Sequence, residues 1–163
     1  MTRLNLGCNN YKIAGFINID LDPNVKPDLV ADLTKLTDHF SENSVDFIFA
    51  GHVLEHLPYQ DSLMALKQCK HILRSHSIML IVVPDYTKCQ DVDVNLAEKI
   101  ILANGDHKTL FNKDRLYRMI KESGFSYAYE VTDLKEVPYI LVSNIRDPKP
   151  DPWQTAFIAF KTF

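Results

Sequence analysis

Hydrophobic residues in the first half of the chain come in short runs, each about as long as a β-strand. Polar turns separate the runs, which occupy residues 3–6, 16–19, 29–30, 45–50 and 77–83. The last two are almost uninterrupted, as is typical of central parallel strands covered on both faces. The pattern predicts a mainly parallel sheet.

One segment between the fourth and fifth runs has helical spacing. Over residues 59–73 the apolar positions recur three or four apart, at Leu63, Leu66, Cys69, Ile72 and Leu73, and so form one face. Residues 45–83 are therefore interpreted as a strand–helix–strand unit.

The links between the first three strands are too short for ordinary crossovers. About ten residues separate the first two strands, which is close to the minimum for a parallel connection. The next link contains Pro23 and Pro27, which disfavour a helix. The early crossover helices are thus predicted to be shortened or missing, which leaves one face of the sheet thinly covered.

The second half of the chain predicts two helices followed by two strands. The first helix covers residues 91–103; the second begins after the N-cap Asn112 and ends at Ser123, before Gly124. Strands at 125–131 and 155–162 form an antiparallel pair, joined by a proline-rich connection over residues 138–152. The predicted fold is α/β: one domain over residues 1–163 with a Rossmann-like, mostly parallel sheet and a terminal antiparallel pair.

Composition is that of an ordinary globular domain: 163 residues, 46% apolar and 24% charged. A net charge of −3 gives no electrostatic reason to expect a nucleic acid or an anionic membrane as partner. There is no membrane-spanning run or signal sequence, and Cys8, Cys69 and Cys89 form no CxxC pair. We therefore expect a cytoplasmic protein with reduced thiols.

The first candidate for chemistry is the turn after the first strand. Gly7 and Asn9 reach positive φ most easily, which lets the backbone lie close to a ligand. Asp20 ends the second strand. A turn after strand one and an acid after strand two form a pattern that holds a nucleoside, with the acid on the ribose hydroxyls.

Five sequence blocks then follow in a characteristic order: LNLGCNN, GFINIDLDP, DLVADLTKL, SVDFIFAGHVLEHL and IMLIVVPD. Over residues 3–85 the chain resembles the class I S-adenosylmethionine-dependent methyltransferases, in particular the type 11 group. A weaker match continues through GDHKTLFNKDRLYRMIKESGF. The resemblance implies transfer of a methyl group from S-adenosylmethionine to an oxygen or nitrogen of a small molecule or saccharide.

The resemblance also implies which residues bind the cofactor. The turn would meet its methionine part, the acid after strand two its ribose, the segment after strand three its adenine, and the end of strand four its sulfonium. In that order the residues are Leu6, Gly7, Cys8 and Asn9; Asp20 and Leu21; Asp32 and Leu33; Gly51 and His52. Asn9 stands where the family usually has a second glycine.

The stretch from His52 to His56 allows more than one interpretation. As H-x-x-E-H it matches a zinc-peptidase pattern, but it begins at a strand end rather than inside a helix. It also resembles methyltransferases that bind a divalent cation through E-x-x-E-H, with His107 as a further ligand and zinc or manganese as the ion. In the preferred interpretation Glu55 braces the following helix, His56 packs beside the cofactor, and no metal is bound.

His107 is the main catalytic candidate on the substrate side, with His56 as the second. Histidine suits general base catalysis near neutral pH, and relatives carry a histidine in a similar loop. Tyr139 and Trp153 are candidate substrate contacts in the proline-rich connection. A homodimer partner, or that connection, would close over the substrate.

Two other functions stay open at this stage. Asn9 and the altered loop at residues 74–77 motivate a methyltransferase-like binding module without catalysis. An acid after strand two also occurs in nicotinamide-dependent oxidoreductases, but the chain lacks G-x-G-x-x-G and the helix that would receive a pyrophosphate.

Overall fold

A computed structural model describes residues 1–91, 103–132, 137–138, 145, 151 and 153–162. The strands are β1 Arg3–Leu6, β2 Ile17–Asp20, β3 Leu29–Val30, β4 Val45–Gly51, β5 Leu73–Pro84, β6 Tyr127–Glu130 and β7 Gln154–Phe160. The α-helices are α1 Tyr59–Ile72 and α2 Lys113–Glu122. Most of the predicted helix 91–103 lies outside the described residues, and Ala103 itself begins a 3-10 turn, Ala103–Gly105. Within the described residues no helix has the length and apolarity needed to cross a membrane.

The strands form one 7-stranded sheet in the order β3-β2-β1-β4-β5-β7-β6. Neighbours from β3 to β5 are parallel, whereas β7 runs antiparallel to both β5 and β6. The predicted α/β architecture with a terminal antiparallel pair is therefore confirmed. Because β1 to β5 run in the same direction, their carboxyl ends meet at one edge, where open sheets of this kind bind ligands.

The fifth strand begins earlier than the sequence predicts. It starts at Leu73, directly after α1, rather than at Ser77, and the pairing with β4 shifts register between Val45↔Leu73 and Phe47↔Ile78. His76 has φ 64 at this irregularity, and its N–H donates to the carbonyl of Lys161 at 2.7 Å. The strand is longer because Leu73 pairs with Val45 on one side and the His76 N–H is bonded to the chain just after β7 on the other.

Helices cover one face of the sheet. Apolar residues of α1 and α2 pack there against alternate residues of the central strands, including Leu4, Ile48, Met79 and Ile81, all completely buried. The hydroxyl of Ser62 in α1 donates to the carbonyl of Leu54 at 2.9 Å, which fixes the helix against the segment that follows β4. The helix-covered face thus positions the carboxyl end of β4.

The opposite face is covered by connecting segments, as the short early links predicted. Its core contains strand residues such as Phe47 and Leu80 together with link residues Ile13 and Phe16 and with Val137. None of the described residues in this core belongs to a helix. Because no described helix packs on this face, the segments that connect the first strands must be held against the sheet by other contacts.

A buried pair of asparagines supplies part of that fixation. Asn5 in β1 and Asn18 in β2 lie opposite each other, and the Asn5 Nδ2 donates to Asn18 Oδ1 at 2.9 Å. Asn18 Oδ1 also accepts from the Ile13 N–H at 2.8 Å, and its Nδ2 donates to Asp28 Oδ2 at 2.7 Å. Side-chain amides therefore join the links on both sides of β2 to the sheet, where a crossover helix would otherwise pack.

Candidate functional site

A cavity of about 330 Å³ opens at the carboxyl ends of β1, β2 and β4. It contains most of the residues predicted to bind a cofactor, together with others from the segments after β4 and before α2. The lining residues are Gly7, Asn9, Asp20, Leu21, Asp32, Leu33, His52, Val53, His56, Leu57 and Asp106. Residues far apart in sequence thus share one concave surface at the edge where the parallel strands end.

The turn after β1 has the left-handed geometry that its sequence indicates. Gly7 has φ +61, and a Cβ at this position would lie 2.3 Å from Cγ2 of Val53, so only glycine fits. Asn9 also has positive φ, at 41, which asparagine tolerates better than most residues. The asparagine that replaces the family's second glycine therefore has the backbone geometry that glycine would have.

Asp20 holds this turn and the next one together. Its Oδ2 accepts the Asn9 N–H at 2.7 Å, and its Oδ1 accepts the Asp22 N–H at 3.0 Å. Each carboxylate oxygen accepts more than one hydrogen bond. The side chain can therefore order both turns and still accept bonds from hydroxyl groups of a ligand in the cavity.

Asp32 lies at the start of the 3-10 helix Leu33–Asp38 and is its N-cap. Its Oδ1 accepts from the N–H and the hydroxyl of Thr34, and these hydrogen bonds lower the pKa of the Asp32 carboxyl. The predicted contact with adenine is compatible with this capping role, because the cap uses only one oxygen. Among the described residues, no hydrogen bond uses the second oxygen.

Three of the predicted cofactor residues do not line the cavity. Leu6 and Cys8 are 1% and 2% exposed, so their side chains face the core and only their backbone can meet a ligand. Burial raises the pKa of the Cys8 thiol. Gly51 ends β4 next to His52, and a Cβ there would lie 2.5 Å from Cζ of Phe49.

His52 is held in one tautomer by a chain of hydrogen bonds. Gln154 Oε1 accepts the Asp151 N–H at 2.9 Å, which turns the Gln154 NH₂ group toward His52 Nε2 at 2.8 Å. Nε2 must then be the acceptor, so the proton is on Nδ1, which lies 3.2 Å from Glu55 Oε1. The ring of Trp153, a predicted substrate contact, lies 5.6 Å from the His52 ring between centroids.

Glu55 is an almost fully buried carboxylate, 1% exposed, in the 3-10 helix Leu54–His56. While Oε1 faces His52, Oε2 is buried and has no hydrogen-bond partner among the residues that the structure describes. The H-x-x-E-H stretch thus spans a strand end and one 3-10 turn, which does not match the long helix of a zinc peptidase.

The backbone of Glu55 brings the segment that contains His107, the main catalytic candidate, to the site. Its carbonyl accepts the N–H groups of Lys108 and Thr109 at 2.8 and 3.1 Å. His107 is thereby placed beside His56, with 4.8 Å between ring centroids. The two predicted catalytic histidines therefore meet at the rim of the cavity, although 50 residues separate them in sequence.

Sequence reasoning missed Gln154, Asp106 and Val53. Gln154 begins β7, and nothing local marks it as a partner of His52, because the contact depends on the antiparallel pairing of β5 with β7. Asp106 precedes His107 and could have been included with it. Tyr139, the other predicted substrate contact, lies outside the described residues.

Comparison with known proteins gives one family and a consistent group of structures. Residues 9–81 match the model of a methyltransferase domain family, Methyltransf_11. No curated protein matches significantly. A SAM-dependent methyltransferase from Archaeoglobus fulgidus is 16% identical, with a TM-score of 0.69 over 98% of this chain and 86% of that one.

Two further solved structures have the same fold. A SAM-dependent methyltransferase from Thermotoga maritima, described as a possible histamine N-methyltransferase, is 14% identical, with a TM-score of 0.71 over 98% of this chain and 82% of that one. Phosphoethanolamine N-methyltransferase 2 from Haemonchus contortus, in complex with S-adenosyl-L-methionine, is 14% identical, with a TM-score of 0.60 over 100% of this chain and 49% of that one. The resemblance to type 11 methyltransferases is confirmed over residues 9–81, and the fold predicted from the sequence is confirmed as well.

Proposed function

We propose that this chain, a SAM-dependent methyltransferase with a type 11 methyltransferase domain over residues 9–81, methylates an oxygen or nitrogen atom of a small molecule or saccharide. The observation that carries the proposal is the cavity at the strand ends, which joins the turn at Gly7, the acids Asp20 and Asp32, and His52. A saccharide acceptor is suggested by analogy with type 11 relatives.

The charge of the cavity agrees with S-adenosylmethionine. Asp20, Asp32 and Asp106 line it, and no lysine or arginine is among its described lining residues. Carboxylates suit a ligand that carries a sulfonium and an ammonium group, and they disfavour a pyrophosphate. This observation supports S-adenosylmethionine over the nicotinamide dinucleotide of the alternative considered above.

Each part of the cofactor has residues that would hold it. The backbone of Gly7 and Asn9 would meet the methionine part, Asp20 would accept hydrogen bonds from the ribose hydroxyls, and Asp32 with Leu33 would hold the adenine. His52 would lie on the sulfonium side. When bound, the cofactor supplies a methyl group already activated by its sulfonium, so that alignment of the acceptor accounts for much of the rate.

The acceptor binds, in this proposal, at the rim formed by His56, Leu57 and Asp106. His107 contacts His56 there, and the proton that the acceptor loses is removed at this histidine pair. His56 is exposed and His107 half-buried, so both remain open to an entering substrate.

Titration calorimetry with S-adenosylmethionine and S-adenosylhomocysteine tests the cofactor site. We expect Asp20→Ala to weaken binding of both about tenfold or more, because a buried hydrogen bond to a charged group contributes about 1.5–3 kcal/mol. Asp38→Ala, at an exposed aspartate outside the cavity, is the matched control. Parent-like affinity in Asp20→Ala would overturn the ribose assignment.

Catalysis is tested separately, by transfer of a labelled methyl group from the cofactor to panels of hydroxyl and amine acceptors. If His107→Ala lowers methyl transfer but leaves cofactor affinity unchanged, the result supports the assignment of His107 to the acceptor side. If the protein binds the cofactor but methylates no acceptor in the panels, the alternative of a methyltransferase-like binding module without catalysis describes it better.

A further inference from the structure

We infer that Glu55, His56 and His107 bind a divalent transition-metal ion at the acceptor end of the cavity. The carboxylate oxygen of Glu55 and one ring nitrogen of each histidine all lie within 4.8 Å of one another. Binding of the ion by these side chains does not depend on the methyl-transfer proposal; only its consequence for the acceptor does.

The first reason is the second carboxylate oxygen of Glu55. A helix brace, or a contact to His52, accounts for Oε1 but leaves Oε2 buried, with no hydrogen-bond partner in the described part of the chain. Burial of an ionised carboxylate is costly unless a positive charge compensates it. The Nδ1 of His52 lies 3.2 Å from Oε1, so this contact accounts for only one of the two carboxylate oxygens.

The second reason is the space beside this carboxylate. A small cavity of about 10 Å³ lies between Glu55 and His107, lined also by Pro84 and Tyr86. This is about the volume that a single water-sized sphere occupies. The space is adequate for one ion or water beside Glu55 and His107, and His56, which does not line it, would have to turn toward it.

The third reason is that the three side chains can approach one another closely enough to bind one ion. Ligand atoms placed tetrahedrally at about 2.1 Å from an ion lie about 3.4 Å apart, so groups that are now up to 4.8 Å apart must approach one another by up to about 1.4 Å. The backbone of Glu55 and the chain after His107 are already joined by two hydrogen bonds. His56 is exposed, and a rotation of its side chain can supply the remaining movement.

The ligand set selects the kind of ion. One carboxylate and two imidazoles suit zinc, manganese or cobalt better than magnesium, which prefers oxygen ligands. The chain from Asp151 through Gln154 to His52 orients Glu55 from behind. Outer hydrogen bonds of this kind commonly fix the carboxylates and imidazoles of metal sites.

Three protein ligands leave coordination positions open toward the acceptor. If the proposed function is right, an acceptor hydroxyl that occupies one of them loses its O–H proton to water more readily, because the ion stabilises the resulting oxyanion. In that case His56 and His107 act through the ion, and in the metal-free protein an imidazole takes the proton directly.

The test uses the full chain after removal of metals with a chelator. ZnCl₂ and MnCl₂ are titrated calorimetrically, and CoCl₂ is followed by its visible absorption, which reports on the ligands directly. We expect one equivalent of ion per chain and affinity reduced tenfold or more in Glu55→Gln and in His56→Ala. His71→Ala, at an exposed histidine on α1, is the matched control and should bind as the parent does.

Two results would overturn the inference: no stoichiometric binding by the parent, or unchanged binding in Glu55→Gln and His56→Ala. Since His56 is exposed, His56→Ala keeps the test decisive even if substitution of buried Glu55 prevents folding. Titration of S-adenosylhomocysteine into the same samples separates the proposals. Loss of cofactor binding with metal binding intact contradicts the proposed function alone, and the converse contradicts the metal site alone.

Discussion

Gly7→Ala is the substitution that most directly tests the geometry of the cofactor turn. It adds one methyl group at a position where the backbone has φ +61 and where Val53 occupies the space. Two separate penalties follow. A left-handed backbone conformation costs a non-glycine residue about 1–2 kcal/mol, and forced overlap in a packed site costs about 1–3 kcal/mol.

The expected loss in the free energy of unfolding is thus about 2–5 kcal/mol. The overlap involves Cγ2 of Val53 at 2.3 Å and its Cβ at 2.6 Å, so a side-chain rotation of Val53 cannot relieve it completely. Val53 lines the cavity and precedes the turn of Glu55. Its displacement should therefore weaken binding of S-adenosylhomocysteine about tenfold or more, as small misplacements in a preorganised site do.

Urea denaturation measures the stability and calorimetry the affinity. Gly105→Ala is the matched control, because Gly105 has φ +90 but no atom within 4 Å of the added Cβ. It should show the backbone penalty alone. In a double-mutant cycle with Val53→Gly, the added methyl should become less destabilising by about 1 kcal/mol or more. Equal losses in Gly7→Ala and Gly105→Ala, or a cycle without coupling, would refute the packing argument.

Two further predictions concern the links around β2. Asn18→Ala should lower the free energy of unfolding by about 2–4 kcal/mol, because the buried Ile13 N–H loses its partner. The exposed control Asn24→Ala should change it by less than about 0.5 kcal/mol, and similar effects in urea denaturation would contradict the role of Asn18. Hydrogen bonds from Asn18 lower the pKa of the Asp28 carboxyl in the folded protein, so its stabilisation is present above the ordinary carboxyl pKa and is lost as the pH falls through the folded value. Stability measured between pH 7 and pH 3 should therefore fall less in Asp28→Asn than in the parent, and an identical profile would contradict the linkage.

The local pattern of the chain was sufficient to predict most strands, because apolar runs such as those in β4 and β5 are buried on both faces. Strand ends were less predictable. Arg74–His76 looked like a loop from its polar residues, but these residues form an irregularity inside β5, between the Leu73 pair with Val45 and the His76 N–H bond to the Lys161 carbonyl. Such pairing depends on chain that is distant in sequence, and no local signal reports it.

Some residues of the candidate site could likewise be predicted from local sequence, whereas others depend on contacts with distant parts of the chain. The turn at Gly7 and the acids Asp20 and Asp32 follow strands directly, so their convergence at one edge follows from a parallel sheet. The contact of His52 with Gln154 comes from the other end of the chain. The burial of Glu55 depends on the packing of the segment around His107, which sequence spacing does not encode.

The 3-10 turn at Leu54–His56 is shared by both ends of the cavity. The side chain of Glu55 faces His52, on the proposed cofactor side, while its carbonyl accepts the N–H groups of Lys108 and Thr109, on the proposed acceptor side. If the proposed function is right, a ligand that moves one of these contacts and thereby shifts the other couples the two binding equilibria. Such coupling is reciprocal: whatever factor the cofactor applies to acceptor affinity, the acceptor applies equally to cofactor affinity.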